Sequence, residues 1–328
     1  MSQSKLITIA IPNYNYGRYL RQCIDSVISQ KGDDIEILIA DNCSSDDSWS
    51  IIESYNDTRI KAWRHEENIG LYPNWNFLLK NACGTFFKFL GSDDWLCDNF
   101  IEEFRSSINK SPQKSPDIIA AILFGHRVKE EVVGDEVFGD INLPKMAGIH
   151  DLFAIQESFD EVLLSINYSM PTLNAVRTTL AKNVGGYPSD SMRGDSILFA
   201  RVLSSEKSYS IVSVNAPVVV ARTHLTNDRY RYSRFEAFRD ETIFYGELIN
   251  LAMSDSDKKR IKNLVSNSAA QTLISIPIDA AKKRFNQSSS ERIKYVLTWK
   301  FAYESFRCLP MELWRLFVNY AQRLTAQR

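Results

Sequence analysis

Three short polar clusters in this chain each follow an apolar run: Asn13-Tyr14-Asn15, Asp41-Asn42 and Ser92-Asp93-Asp94. In open α/β sheets, ligands gather outside the carboxyl ends of the strands, so clusters at three such ends point to one site. Adjacent carboxylates such as Asp93 and Asp94 suit a hard divalent cation, which takes one or two carboxylates plus phosphate oxygens. The plainer alternative is that one of them caps the helix containing Phe100, Ile101 and Phe104. Tyr14 offers an aromatic face on which a base could stack with little discrimination, or is a half-buried surface ring. The turn Pro12-Asn13-Tyr14-Asn15-Tyr16-Gly17 lacks the spacing GxGxxG, which argues against a dehydrogenase. The chain also lacks the GxxxxGK[ST] loop that cradles a nucleoside triphosphate.

The elements that must position these residues follow from periodicity. Leu6–Pro12, Ile35–Ala40, Ile60–Arg64 and Phe86–Leu90 are strand-like runs. Helical patterns lie between them: Leu20, Ile24, Val27 and Ile28 share a face, and further helices are expected over Ser48–Tyr55 and Asn74–Ala82. Strands alternating with helices of this length mean βαβ units and a mostly parallel sheet. Residues 111–150 read as a connector with an excursion loop around one strand-like piece, Ile118–Phe124. Leu173–Arg177 and Pro217–Ala221 are further strands, with a short helix from Ser196 between them. From about Tyr230 the pattern is helical to the end, which places a boundary between residues 1–228 and 229–328.

The bulk numbers narrow the class. With 328 residues, 44% hydrophobic and 24% charged, the chain reads as globular, and its net charge of -1 gives no sign of nucleic-acid binding. Its five cysteines are scattered, with neither CxxC spacing nor a zinc pattern, as expected of free thiols in a reducing compartment. No apolar run approaches the ~18 residues of a membrane span, and Met1-Ser2-Gln3-Ser4-Lys5 does not look like a signal peptide. A cytoplasmic location is expected.

The motifs, taken in order, resemble a known family. Ile9-Ala10-Ile11-Pro12-Asn13-Tyr14-Asn15, Ser26-Val27-Ile28-Ser29-Gln30 and Glu36-Ile37-Leu38-Ile39-Ala40-Asp41-Asn42-Cys43-Ser44-Ser45-Asp46 are similar to the opening of the inverting family 2 glycosyltransferases, of GT-A fold. Asn68-Ile69-Gly70, Ala82-Cys83-Gly84, Gly91-Ser92-Asp93-Asp94, Gly185-Gly186-Tyr187, Gly194-Asp195 and Arg222-Thr223-His224 continue the likeness over about residues 6–225. The resemblance implies a GT-A-like, mostly parallel sheet flanked by helices, with a C-terminal helical region. It implies a nucleoside diphosphate sugar donor, UDP- or dTDP-linked, and transfer with inversion to a hydroxyl on a glycan or lipid-linked acceptor.

The family's residue roles carry over position by position. Asp41 would accept the imide N–H of uracil or thymine, with Pro12 shaping the turn and Tyr14 stacking on the base. Asp94 would contact Mn2+ or Mg2+, and Asp93 the ribose or donor sugar. Asn68 lies on the donor side, and His224 stands where many members have a histidine near metal and diphosphate. Arg222 could also reach the diphosphate. Trp75 occupies a place where some members have arginine, so no arginine is expected to neutralise the diphosphate there. Asp195 falls at the general-base position, although Gly194 stands where the family usually has glutamate, and Asp190 is the nearby alternative.

The stretch 291–328 carries seven basic and three acidic residues, a local charge of +4, with Leu313, Phe317, Tyr320 and Leu324 on one helical face. Basic amphipathic helices of this kind suit an anionic membrane surface, here its cytoplasmic side, and equally suit a cap packed on the catalytic domain or a dimer partner. Two rival functions remain open. A nucleotidyltransferase making sugar nucleotides would need a glycine- and arginine-rich first loop, and a non-catalytic sugar-binding protein could use the same fold.

Overall fold

The computed structural model describes residues 5–110, 117, 119–132, 135–141, 149–151, 171–205 and 210–224, with 240, 243–248, 250, 255, 258 and 259. By its contacts the chain forms two compact units, residues 1–190 with 194–227, and residues 191–193 with 228–328. In the second unit residues 243–248 are helical, and the Arg193 guanidinium lies 4.3 Å from the Phe244 ring centroid. The tail 291–328, where a basic amphipathic face was expected, lies outside the described residues.

The first unit opens as β1 (Ile7–Asn13), α1 (Gly17–Ile28), β2 (Ile35–Asp41), α2 (Ser48–Glu53), β3 (Ile60–Arg64), α3 (Leu71–Asn81) and β4 (Phe86–Phe89). These strands pair in parallel in the order β3-β2-β1-β4, with a helix in each connection between them, as parallel pairing needs. Apart from the half-covered Pro12, every residue of β1, β2 and β4 is buried, which is why they read as unbroken apolar runs. On α1 the buried Leu20, Cys23, Ile24 and Val27 recur at helical spacing and pack into the same core as Ile7, Ile9, Ile37 and Phe86.

Past β4 come β5 (Trp95–Leu96), α4 (Phe100–Lys110), β6 (Ile119–Val132), β7 (Asp135–Ile141) and β8 (Ile149–Asp151). The expected connector is therefore not one short strand: β6 runs fourteen residues and folds back on β7 as an antiparallel pair. Then follow a 3-10 turn (Pro171–Leu173), β9 (Asn174–Arg177), α5 (Thr178–Asn183), α6 (Gly194–Ser204) and β10 (Ser210–Thr223). Helix α5 is an addition to the expected elements. The short strand β9 is antiparallel to both β4 and β6, and joins the parallel half to the parallel pair β6–β10. Strand β10 begins seven residues before the expected Pro217, which sits at register shifts inside it. Proline has no N–H to give a ladder and is accommodated at such an irregularity.

Candidate active site

The carboxyl ends of β1, β2 and β4 lie side by side, and polar side chains stitch them together. Ser92 donates to the Pro12 carbonyl at 2.5 Å, which fastens the Asp93-Asp94 turn to the end of β1. Asn13 donates from Nδ2 to Asp41 Oδ1 (2.8 Å) and to Ser44 Oγ (3.1 Å), while its Oδ1 is buried without a hydrogen-bond partner. Asn15, at φ 58, accepts from the Ser45 amide at 2.8 Å, so the β1–α1 turn is locked to the loop after β2. That lock leaves Tyr14 standing out, 44% exposed.

Asp41 is 0% exposed. Its Oδ1 accepts from Asn13 and Ser44 Oγ (2.5 Å), and its Oδ2 from the Ser44 amide (3.0 Å), with Arg64 Nε at 3.6 Å. A carboxylate has about four acceptor positions, and three of them take hydrogen bonds here. Asp41 thus holds the loop from beneath, and the acceptor capacity left to a base N–H is that of Oδ2 beside Arg64. The neighbouring Asn42 is tied to Asn68 Oδ1 (2.8 Å), the Gly70 carbonyl (3.1 Å) and the Ile69 amide (2.9 Å). Asn68 is exposed, and through Asn42 it is lashed to the end of β2.

Asp93 and Asp94 converge. A Cβ built on Gly91 would lie 2.8 Å from Asp93 Oδ1 and 2.9 Å from Asp94 Oδ2, so the glycine leaves a hollow faced by both carboxylates. Asp94 Oδ2 accepts from Thr172 Oγ1 at 2.6 Å and Oδ1 from the Arg222 amide at 2.9 Å. Burial raises the Asp94 carboxyl well above the usual carboxylate range, and the Asp93 charge adds to that, against Thr172, the Arg222 amide and Lys88. A divalent cation would relieve this crowding of negative charge. Among the described residues no three His, Cys, Asp or Glu side chains cluster as a closed metal site. Two adjacent carboxylates suit a hard cation that completes its shell with phosphate oxygens.

The end of β10 closes the cluster. His224, buried between the rings of Tyr16 and Tyr19 at 5.8 and 5.1 Å, meets Asp93 Oδ2 through Nε2 at 3.1 Å. The histidine expected beside the metal is thus partnered with Asp93 rather than Asp94. Arg222 donates from Nε to the Asp93 carbonyl (3.0 Å) and from Nη2 to Gln22 (2.6 Å). Its guanidinium is packed between Tyr19 and Trp95, 4.5 and 4.9 Å from their centroids. These contacts engage the guanidinium that was expected to be able to reach a diphosphate.

Against this geometry, residues 8–119 match the family model for Glycosyl transferase family 2. Glycosyltransferase GlyA of Streptococcus pneumoniae serotype 4 is 31% identical over 157 residues, 47% of this chain and 22% of that protein. Matches to the curated relatives span 22–38% of their lengths for GlyA, for GlyG of the same organism and for an uncharacterized glycosyltransferase of Rickettsia typhi. The crystal structure of S. aureus TarS 1–349 in complex with UDP-GlcNAc superposes with a TM-score of 0.61 at 19% identity, covering 80% of this chain and 71% of TarS. The mannosyltransferase PcManGT of Pyrobaculum calidifontis, in complex with GDP-Man and Mn2+, has a TM-score of 0.55 at 14% identity, covering 98% and 87%. The first unit therefore has the GT-A-like α/β fold.

The matched segment ends at residue 119, before Asp190 and Asp195. Asp195 lies in the first turn of α6, where its charge suits the helix N-terminus. Its Oδ1 accepts from the Ser196 amide at 2.7 Å. It lines a shallow recess with Pro171, Asn174, Tyr187, Leu198 and Phe199. Burial and the Asp195 charge push the Tyr187 hydroxyl well up. Asp190 is exposed and is not among the recess residues. Trp75 packs against Phe89 at 4.1 Å and Tyr187 at 5.1 Å, filling its place with an aromatic contact.

Two residues were not singled out from the sequence. Thr172 carries no motif. Lys88 did leave a signal, a lone charge inside the apolar run Phe86-Phe87-Lys88-Phe89-Leu90.

Proposed function

We propose that this chain is a glycosyltransferase that moves a sugar from a nucleoside diphosphate donor, UDP- or dTDP-linked, to a hydroxyl acceptor with inversion. The observation that carries the reading is the convergence of Asp93 and Asp94 over Gly91, gripped by Thr172, the Arg222 amide and His224. Asp94 would hold Mn2+ or Mg2+, with Asp93 and His224 beside it, and the ion would offset the charge of the diphosphate leaving group. Tyr14, the exposed ring at the end of β1, would carry the base, with Pro12 and the loop pinned by Asp41 shaping its floor and Asn68 at its edge.

In the transfer the acceptor oxygen bonds to the anomeric carbon while that carbon's bond to the phosphate oxygen breaks. The diphosphate leaves with the electron pair, and the acceptor proton passes to Asp195. The recess around Asp195 supports this role. The residues named for donor and acceptor all lie within 1–228, proposed as the catalytic unit, with 229–328 as a helical accessory region. A glycan or lipid-linked acceptor at a cytoplasmic membrane face would agree with the basic tail. General-base catalysis contributes ~10²–10⁴-fold, so Asp195→Asn should lower transfer by about that much with donor binding little changed. Normal turnover by Asp195→Asn alongside an inactive Asp190→Asn would move the base to Asp190.

A further inference from the structure

Lys88 is the one fully buried lysine among the described residues, and no carboxylate lies in hydrogen-bond contact with its ammonium. It donates instead to two main-chain carbonyls, that of Phe89 at 2.9 Å and that of Thr172, 84 residues further on. An ammonium buried this way is costly unless its donors are satisfied, so those carbonyls are held firmly. Burial pulls the Lys88 ammonium down to about 7, while the Asp94 charge works to keep it protonated.

The residue so held is the one that grips Asp94. Thr172 gives its hydroxyl proton to Asp94 Oδ2 at 2.6 Å and accepts the Gly91 amide at 3.2 Å. One threonine therefore fixes both the carboxylate and the glycine that leaves room beside it. The preceding Pro171 lines the Asp195 recess, so the same short turn borders both halves of the site.

We propose that Lys88 and Thr172 are positioning residues for Asp94, Lys88 clamping the Thr172 carbonyl so that the Thr172 hydroxyl presents the carboxylate for a divalent cation and diphosphate. The inference rests on the proposed donor site. Neither side chain needs to touch cation or substrate. With Oδ1 on the Arg222 amide and Oδ2 on Thr172, the carboxylate is pinned in one rotamer and each oxygen keeps a lone pair for a ligand. Partners of metal-holding carboxylates act in this way by fixing orientation.

The test is calorimetric titration of UDP into the full chain with and without Mn2+, for wild type, Thr172→Val, Thr172→Ser, Lys88→Met and the double variant Lys88→Met/Thr172→Val. Loss of an orienting partner typically costs ~10–100-fold in metal affinity, so Thr172→Val should lose at least about tenfold of the Mn2+-dependent gain, and Thr172→Ser should restore it. Lys88→Met should show a similar loss, and the double variant should be no worse than either single one, because both break one chain of contacts. Lys88→Met removes a buried charge but leaves the Thr172 carbonyl without that donor, so its melting temperature should fall modestly while a cooperative melting transition shows that the variant tested for Mn2+ is folded. That separates positioning from folding, and it carries the test if Thr172→Val does not fold. A wild type with a Mn2+ gain that both single variants retain would overturn this inference alone. Losses that multiply in the double variant would likewise overturn the link between the two residues. A wild type with no Mn2+ gain would overturn the donor-site reading and this inference together.

Discussion

At the scale of single residues, carboxylates in this protein do different work according to what surrounds them. Glu36 is buried in β2, where Thr8 donates at 2.7 Å, Lys61 at 2.9 Å and the Cys83 amide at 2.8 Å. Burial works to raise its carboxyl, but these donors and the Lys61 charge hold it below the ordinary glutamate value. A depressed carboxylate gives its full contribution above its unfolded pKa and loses it as pH falls through the folded one. Glu36→Gln should therefore cost about 1–3 kcal/mol at pH 7, and the gap to wild type should begin to narrow below about pH 4 and go on closing as pH falls through the lowered folded value. Denaturant melts at both pH values check this, and a gap that persists unchanged in acid would contradict it. Asp94 feels Lys88 only through its charge, with no hydrogen-bonded cation to match Lys61, and burial lifts it. The sequence marked Asp93, Asp94 and Asp41 by their places after apolar runs. It did not reveal that Asp41 would be fully enclosed, because Asn13 and Arg64 lie 28 and 23 residues away along the chain. Thr172 was unreadable for the same reason, its partners Asp94 and Lys88 being 78 and 84 residues distant.

At the scale of elements, turns place the site as much as strands do. Gly185 and Gly186 sit at φ +92 and +72, where side chains are strained. A Cβ on Gly186 would come within 2.4 Å of Asn76 Oδ1, while one on Gly185 meets nothing within 4 Å. Asn76 in α3 both accepts from the Tyr187 amide and donates to the Tyr187 carbonyl, each at 2.8 Å. Gly185→Ala should therefore cost only backbone strain, about 1–2 kcal/mol, whereas Gly186→Ala should add about 1–3 kcal/mol from displacing Asn76. Equal unfolding free energies for the two variants would refute this account of the turn. The parallel half was legible, because strands buried on both faces leave continuous apolar runs. The β6–β7 hairpin was not. The later part of β6, through Arg127, Lys129, Glu130 and Glu131, carries charges that local propensity assigns to loops, while β7 and β10 pair with it on either side. Strand β10 was half read for a similar reason, since Pro217 marked a boundary where the fold has an irregularity.

At the scale of the whole molecule, a GT-A-like unit carries the candidate site, and among the described residues no helix is long and apolar enough to cross a membrane. The proposed attraction to an anionic surface rests on the +4 charge of residues 291–328. Truncation before Glu291 should abolish co-sedimentation with anionic vesicles and spare nucleotide binding, and the wild-type association should weaken as salt shortens the Debye length from about 30 Å at 0.01 M to about 10 Å at 0.1 M. A full chain that ignores such vesicles at low salt would exclude the idea. The central claim, however, is that Asp93 and Asp94 make a cation-dependent nucleotide site. Calorimetric affinity for UDP and dTDP, with and without Mn2+ or Mg2+, in wild type and Asp94→Ala, tests it most directly. The account predicts a metal-dependent gain in the wild type that Asp94→Ala abolishes; equal affinity with and without metal in the wild type would contradict it.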